Sequence, residues 1–151
     1  MFGKKVIAPP IGTLEASGNS SVWEGTLTLS AFDGRFDIRV FGTRDGLAPR
    51  QMDAISRVVE VAATLRQDAT GPILEHLGRL RDAGLLPSDL TLSQEMVWGL
   101  LSPCMIEVHP VTTIPTGEIS ISIGFETPWD TGGHLLHMRT ADAVFTDVYW
   151  E

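Results

Sequence analysis

The sequence predicts an α+β domain, with an antiparallel sheet of one N-terminal hairpin and three or four C-terminal strands packed against two or three helices. Three observations carry that prediction. Ile119, Ile121, Ile123 and Phe125 alternate with Ser120, Ser122, Gly124 and Glu126, the period-2 pattern of a strand with one buried face. Trp23, Leu27 and Leu29 alternate with polar residues, as do Phe36, Ile38 and Val40 beyond the dipeptide Asp33-Gly34. Between these regions Met52, Ile55, Val58, Val59, Ala62 and Leu65 recur at helical spacing.

Taken in order, residues 1–21 read as a loosely held lead-in, punctuated by Pro9, Pro10, Gly12 and Gly18, with one short extended piece at Val6–Ala8. A single α+β domain then covers residues 22–151. Asp33-Gly34 suits a two-residue type I′ turn, in which both central residues need positive φ, so the first two strands form a hairpin. Pro49 opens a helix at the position where its missing N–H costs nothing. A second helix starts at Pro72, carries Ile73, Leu74, Leu77 and Leu80, and stops at Gly84; the short link Gln67–Gly71 implies an antiparallel pair. His76 lies off this apolar stripe and reads as exposed. Ser93 is placed to cap a short helix through Trp98, and Met105 to Val111 reads as a strand. The segment from Thr127 to His134 is too long and too rich in Pro and Gly for a tight hairpin, and strands return at Leu135–Met138 and Ala143–Val148, with Tyr149 and Trp150 beyond the last.

Composition excludes several classes. The hydrophobic share of 43% and charged share of 20% are those of a globular chain. No apolar run approaches the ~18 residues of a membrane span, and Val6-Ile7-Ala8 is too short for a signal-peptide core, so a cytoplasmic location is the expectation. Cys104 is the single cysteine; it reads as a small buried apolar residue and cannot form an internal disulfide. Charge is unevenly spread. Residues 1–84 hold ten Lys/Arg and ten Asp/Glu, whereas residues 85–151 hold nine Asp/Glu against Arg139 alone, so the net charge of −8 lies in the C-terminal half. Such a field repels nucleic acid and attracts cationic surfaces.

Catalytic signals are sparse. Asp130 and His134 share one loop and Glu126 and His137 are near, which makes a hydrolytic or metal site on the Glu126–His134 loop one alternative. On a strand, however, His134 and His137 at i and i+3 face opposite ways, and no paired-cysteine, His-Glu-x-x-His, phosphate-loop or nucleophile-elbow motif is present. No cofactor and no metal are expected. Trp129 reads as a lid on the core or as a binding anchor. Asp130 reads as a residue bonding the backbone of its own turn.

The segment Ile123-Gly124-Phe125-Glu126-Thr127-Pro128-Trp129-Asp130-Thr131-Gly132-Gly133-His134 resembles the end of an uncharacterised family of small bacterial α+β domains, which carry a Trp-Asp…His loop before the last two strands. Trp23-Glu24-Gly25 and the helix from Pro49 to Leu65 are similar to earlier parts of that family. Trp129, Asp130 and His134 match by type, with Gly132-Gly133 where the family has an acidic residue before its His. Members are often encoded near secreted toxins and look like immunity proteins. The resemblance implies a non-enzymatic protein that neutralises a toxin, and the charge split suits a basic one. Residues expected to meet such a protein partner are Glu107, Glu118, Glu126, Trp129, Asp130, Asp142, Asp147, Tyr149 and Trp150. A third alternative is an accessory subunit of a homo-oligomer assembled through a sheet edge.

Overall fold

The computed structural model describes residues 3–8, 11–111, 117–129 and 133–151. Among them are eight strands: β1 (Gly3–Ala8), β2 (Gly12–Ser17), β3 (Val22–Leu29), β4 (Gly34–Phe41), β5 (Ser102–Val108), β6 (Ser120–Glu126), β7 (Leu136–Ala141) and β8 (Val144–Trp150). Two helices, α1 (Pro49–Asp82) and the four-residue α2 (Val97–Leu100), lie between β4 and β5. The α+β class stands. The strands form one sheet in chain order, β1 to β8, every neighbouring pair antiparallel except β4 and β5, which run parallel. A parallel pair needs a long crossover, and α1 supplies it.

The crossover helix is a single element of 34 residues, not the antiparallel pair that Pro72 suggests. Ile55, Val58, Ala62, Leu65, Ala69, Ile73 and Leu77 are buried along one continuous stripe that runs straight through the supposed link. Pro72 inside a helix costs about 3 kcal/mol. Burying Ile73 and Leu77 beyond it returns about 1.5–3 kcal/mol each, which is enough to carry the helix on. His76 belongs to this continuation: it is half-buried, and its Nε2 has no hydrogen-bond partner among the described residues, contrary to the exposed position expected for it.

Three further expectations are corrected. Gly3–Ala8 and Gly12–Ser17 are not a loose lead-in; they pair as β1 and β2 at the sheet edge. They join the rest through one pair, Glu15 opposite Glu24, and through Leu14, which is fully buried over Gly25. A Cβ on Gly25 would lie 2.7 Å from Leu14 Cδ2. Lys4 secures the other side, donating to the Ser20 and Arg44 carbonyls with its ammonium 5.4 Å from the Trp23 ring. The β3–β4 connection is not a two-residue turn at Asp33-Gly34. Ser30–Phe32 form a 3-10 turn, Asp33 alone has positive φ, and Gly34 already pairs with Leu29. Gly34 serves close approach instead, since a Cβ there would fall 2.3 Å from Pro103 Cγ. The two-residue turn with both residues at positive φ occurs at Asp142 and Ala143 (φ 47° and 64°), between β7 and β8. Tyr149 and Trp150 lie within β8 rather than beyond the last strand.

The core fills one side of the sheet. Trp23, Leu27, Phe36, Ile38, Val40, Ile106, Val108, Ile121, Ile123, Phe125, Leu136 and Met138 form one cluster with the buried stripe of α1. Phe32, Phe36, Trp98 and Phe125 close one end with ring centroids 5.2–6.3 Å apart. Ser93 does not cap a helix as expected: α2 begins only at Val97, with Met96 at its N-cap position and no side-chain cap, and the Ser93 Oγ accepts the Met96 N–H at 3.3 Å within the turn ahead of it.

Candidate functional site

Strand alternation sends every second side chain to the face away from α1. The register places one row of these across the whole sheet: Lys5, Glu15, Glu24, Arg39, Glu107, Ser122, Arg139 and Asp147, one from each strand from β1 to β8. Neighbours in the row form ion pairs, with Lys5 Nζ 3.6 Å from Glu15, Arg39 Nε 3.7 Å from Glu24 and Arg139 Nε 3.6 Å from Asp147. These pairs are exposed and contribute little stability. Their charge pattern runs across a sheet face that no other described element covers.

At the β6–β8 end this face carries a second, aromatic cluster. Tyr149 stacks on His137 at 4.7 Å with the rings 9° from parallel, and the Arg139 guanidinium sits 4.4 Å from the Tyr149 centroid. The Tyr149 hydroxyl donates to Ser122 Oγ at 3.1 Å, and His109 Nε2 lies 3.4 Å from the same oxygen. Gly124 leaves the space beneath the His137 ring, where a Cβ would come within 3.1 Å. Ser122 and His137 are therefore buried, 2% and 6% exposed, although they point away from the core. Ser122 and His109 are of the types used in nucleophile–base pairs. Here Tyr149 covers the serine, and a substrate has no approach to it. Burial is the main influence holding the His137 pKa below the usual imidazole value; Glu107 and Glu151 pull it back up and Arg139 lowers it further.

The described residues among those named from the sequence fall in four places. Glu107, Asp147 and Tyr149 lie on the open face. Glu118 and Asp142 lie at the end of the sheet where β6 begins, and Asp142 is structural: its Oδ1 accepts the Ile119 N–H at 2.9 Å and its own N–H donates to the Ile119 carbonyl. Glu126 and Trp129 lie at the opposite end. Trp129 is half-buried against the core, and its Nε1 has no hydrogen-bond partner among the described residues. Trp150, adjacent to Tyr149 on β8, packs against the core. Asp130 lies outside the described residues.

The hydrolytic alternative does not assemble among the described residues. His134 stacks on Trp150 at 6.4 Å, while His137 stacks on Tyr149, which alternates to the other face of β8. Glu126 has instead Cys104 beside it, the sulfur 3.7 Å from Oε1. Cys104 is half-buried, not fully buried as expected, and burial followed by the Glu126 charge pushes its thiol up, away from the nucleophilic thiolate. No group of three or more His, Cys, Asp or Glu among the described residues is placed to hold a metal ion. No described helix is long and apolar enough to cross a membrane.

Gln51 is the residue that sequence reasoning missed. It is 1% exposed, and its Nε2 donates to the Phe41 carbonyl at 2.9 Å and the His109 carbonyl at 3.0 Å, while its Oε1 accepts the Ala48 N–H at 3.0 Å. It ties the start of α1 to the ends of the parallel strands. Its only sequence signal is a position three residues into a helix without a capping side chain, where Gln reaches back to the backbone. No protein-family model, no curated protein and no solved structure matches this chain.

Proposed function

We propose that this chain is a non-enzymatic binding protein for a cationic protein partner, with an immunity protein against a basic bacterial toxin as the leading reading. The observation that carries the proposal is where the charge lies. Strands β1–β4 and helix α1 come from the balanced part of the chain, whereas β5–β8 and their connections carry Glu107, Glu118, Glu126, Asp142, Asp147 and Glu151 against Arg139. The larger share of the excess noted along the sequence thus falls on one half of the sheet, with Asp89 and Glu95 ahead of β5. A field of that kind steers a basic partner to one side of the molecule.

Three exposed carboxylates test the reading without touching the central row. Association rates with a basic toxin domain encoded beside this protein are measured for the variant Glu118→Gln, Glu126→Gln, Glu151→Gln. The expected on-rate falls roughly tenfold at low salt, and the difference shrinks as ionic strength rises. Asp33→Asn, Asp53→Asn, Asp68→Asn in the balanced half is the control and leaves the rate within about twofold. Equal rates for both variants and the parent would refute steering by the C-terminal half.

A further inference from the structure

We infer that the open sheet face is a self-association surface, on which a second copy of this chain stacks through a two-fold axis running along the strands between β4 and β5. Strand directions are the first support. The parallel β4–β5 step makes the order of directions palindromic about that line, since each flanking set of four strands is antiparallel within itself. Such an axis lays β4 over the partner copy's β5, β3 over β6, β2 over β7 and β1 over β8, with facing strands parallel. It also leaves the twist of the two sheets matched along their whole width, which is the aligned packing of sheet on sheet.

Charge is the second support, and it identifies the occupant. The axis lays the cross-sheet row against its own reverse. Lys5 then faces Asp147, Glu15 faces Arg139 and Arg39 faces Glu107, while Glu24 faces the uncharged Ser122. An isologous interface repeats each contact, so three complementary pairs become six, and no like charges in the row meet. In the rows on either side, Phe41 comes over His109 and Asp37 over Met105, again without a like-charge clash. The face is large enough. Eight strands spaced about 4.8 Å apart and roughly 20 Å long present on the order of 750 Å² per copy, close to the ~800 Å² per partner of a stable interface. Because the contact is charged rather than apolar, the dimer is wet and salt-sensitive.

This inference does not depend on the identity of any other partner, and the protein alone tests it. Sedimentation velocity is run over a concentration series at about 20 mM and about 300 mM NaCl. A monomer–dimer equilibrium is expected at low salt, at least about tenfold weaker at high salt. The deciding variants are K5E and D147K. Both positions are exposed, and they lie on opposite edges of one chain, roughly 34 Å apart across seven strand spacings, so they cannot compensate each other within a copy. Each variant alone places like charges across both outer contacts and is expected to weaken its own dimer about tenfold. An equimolar mixture of the two places opposite charges at both outer contacts and is expected to restore dimerisation as a heterodimer. A chain that stays monomeric at low salt up to about 1 mM overturns the inference. A dimer that neither variant weakens, or two weakened variants that do not recover on mixing, also overturns it.

Discussion

His137 is a titratable group kept neutral by position. It sits on the polar face of β7, yet the Tyr149 ring and the Gly124 backbone enclose it. Burial lowers its pKa below the ordinary value of 6.5. The unfolded chain therefore takes up a proton at higher pH than the folded one. Stability is fully present above the unfolded value, falls as pH drops through it, and levels off below the folded pKa. His76, half-buried beside Arg79, is shifted the same way and adds to the same window. His137→Phe keeps a stacking ring on Tyr149 but removes the proton site. Urea denaturation between about pH 8 and pH 5 is expected to show a shallower loss of stability for this variant than for the parent. An identical slope would mean that His137 is solvated in the native state.

At the scale of elements, the long helix and the parallel strand pair depend on each other. A parallel β4–β5 pair has no tight turn to align it, so its register must be held from elsewhere. Gln51 does this by joining both strand ends to the first turn of α1. Gln51→Leu fills the volume but leaves the half-buried Phe41 and His109 carbonyls and the Ala48 N–H without this partner. The expected cost is about 2–4 kcal/mol, read from the midpoint of urea unfolding. Gln51→Glu keeps the acceptor for Ala48 but sets a carboxylate against two carbonyls, and is expected to cost at least as much. A loss below about 0.5 kcal/mol for both variants would show that the strand ends need no such tie. The rest of α1 needs less explanation, because its buried stripe is regular from Ala54 to Leu77.

For the whole molecule, the net charge of −8 is self-repulsion whose larger share lies on half a sheet. Glu107, Glu118, Glu126, Asp147 and Glu151 have Arg139 as the one basic residue of their own part of the chain. Exposed charges of one sign are screened by salt on a length of about 8–10 Å at physiological strength. The melting temperature is therefore expected to rise by a few degrees between about 10 mM and about 200 mM NaCl. Glu118→Lys, at an exposed position, is expected to raise it at low salt and to reduce its salt dependence. A melting temperature that falls with salt in the parent would mean that the exposed ion pairs of the row outweigh the repulsion. Measured at a concentration where the chain is monomeric, this response is separate from self-association.

Whatever depends on local periodicity was legible along the chain. Alternation over Trp23–Leu29, Phe36–Val40 and Ile119–Phe125 marked strands and their buried faces, because the pleat repeats every two residues whatever lies beside it. The stripe from Met52 to Leu65 marked a helix for the same kind of reason, and the charge split was legible by counting. Local signals also misled where two of them competed. Pro72 argued for a break, but the burial of Ile73 and Leu77 outweighed its local cost. Asp33-Gly34 matched a turn, but Gly34 answers to the Pro103 ring, a neighbour 69 positions away in the chain. Which strands lie side by side was settled by packing in three dimensions. Pairing is a long-range choice set by the closing of the core, and no periodicity along one strand names its neighbour. That choice made β4 and β5 parallel, brought Glu24, Arg39, Glu107, Arg139 and Asp147 into one row, and placed Gln51 where both strand ends could reach it.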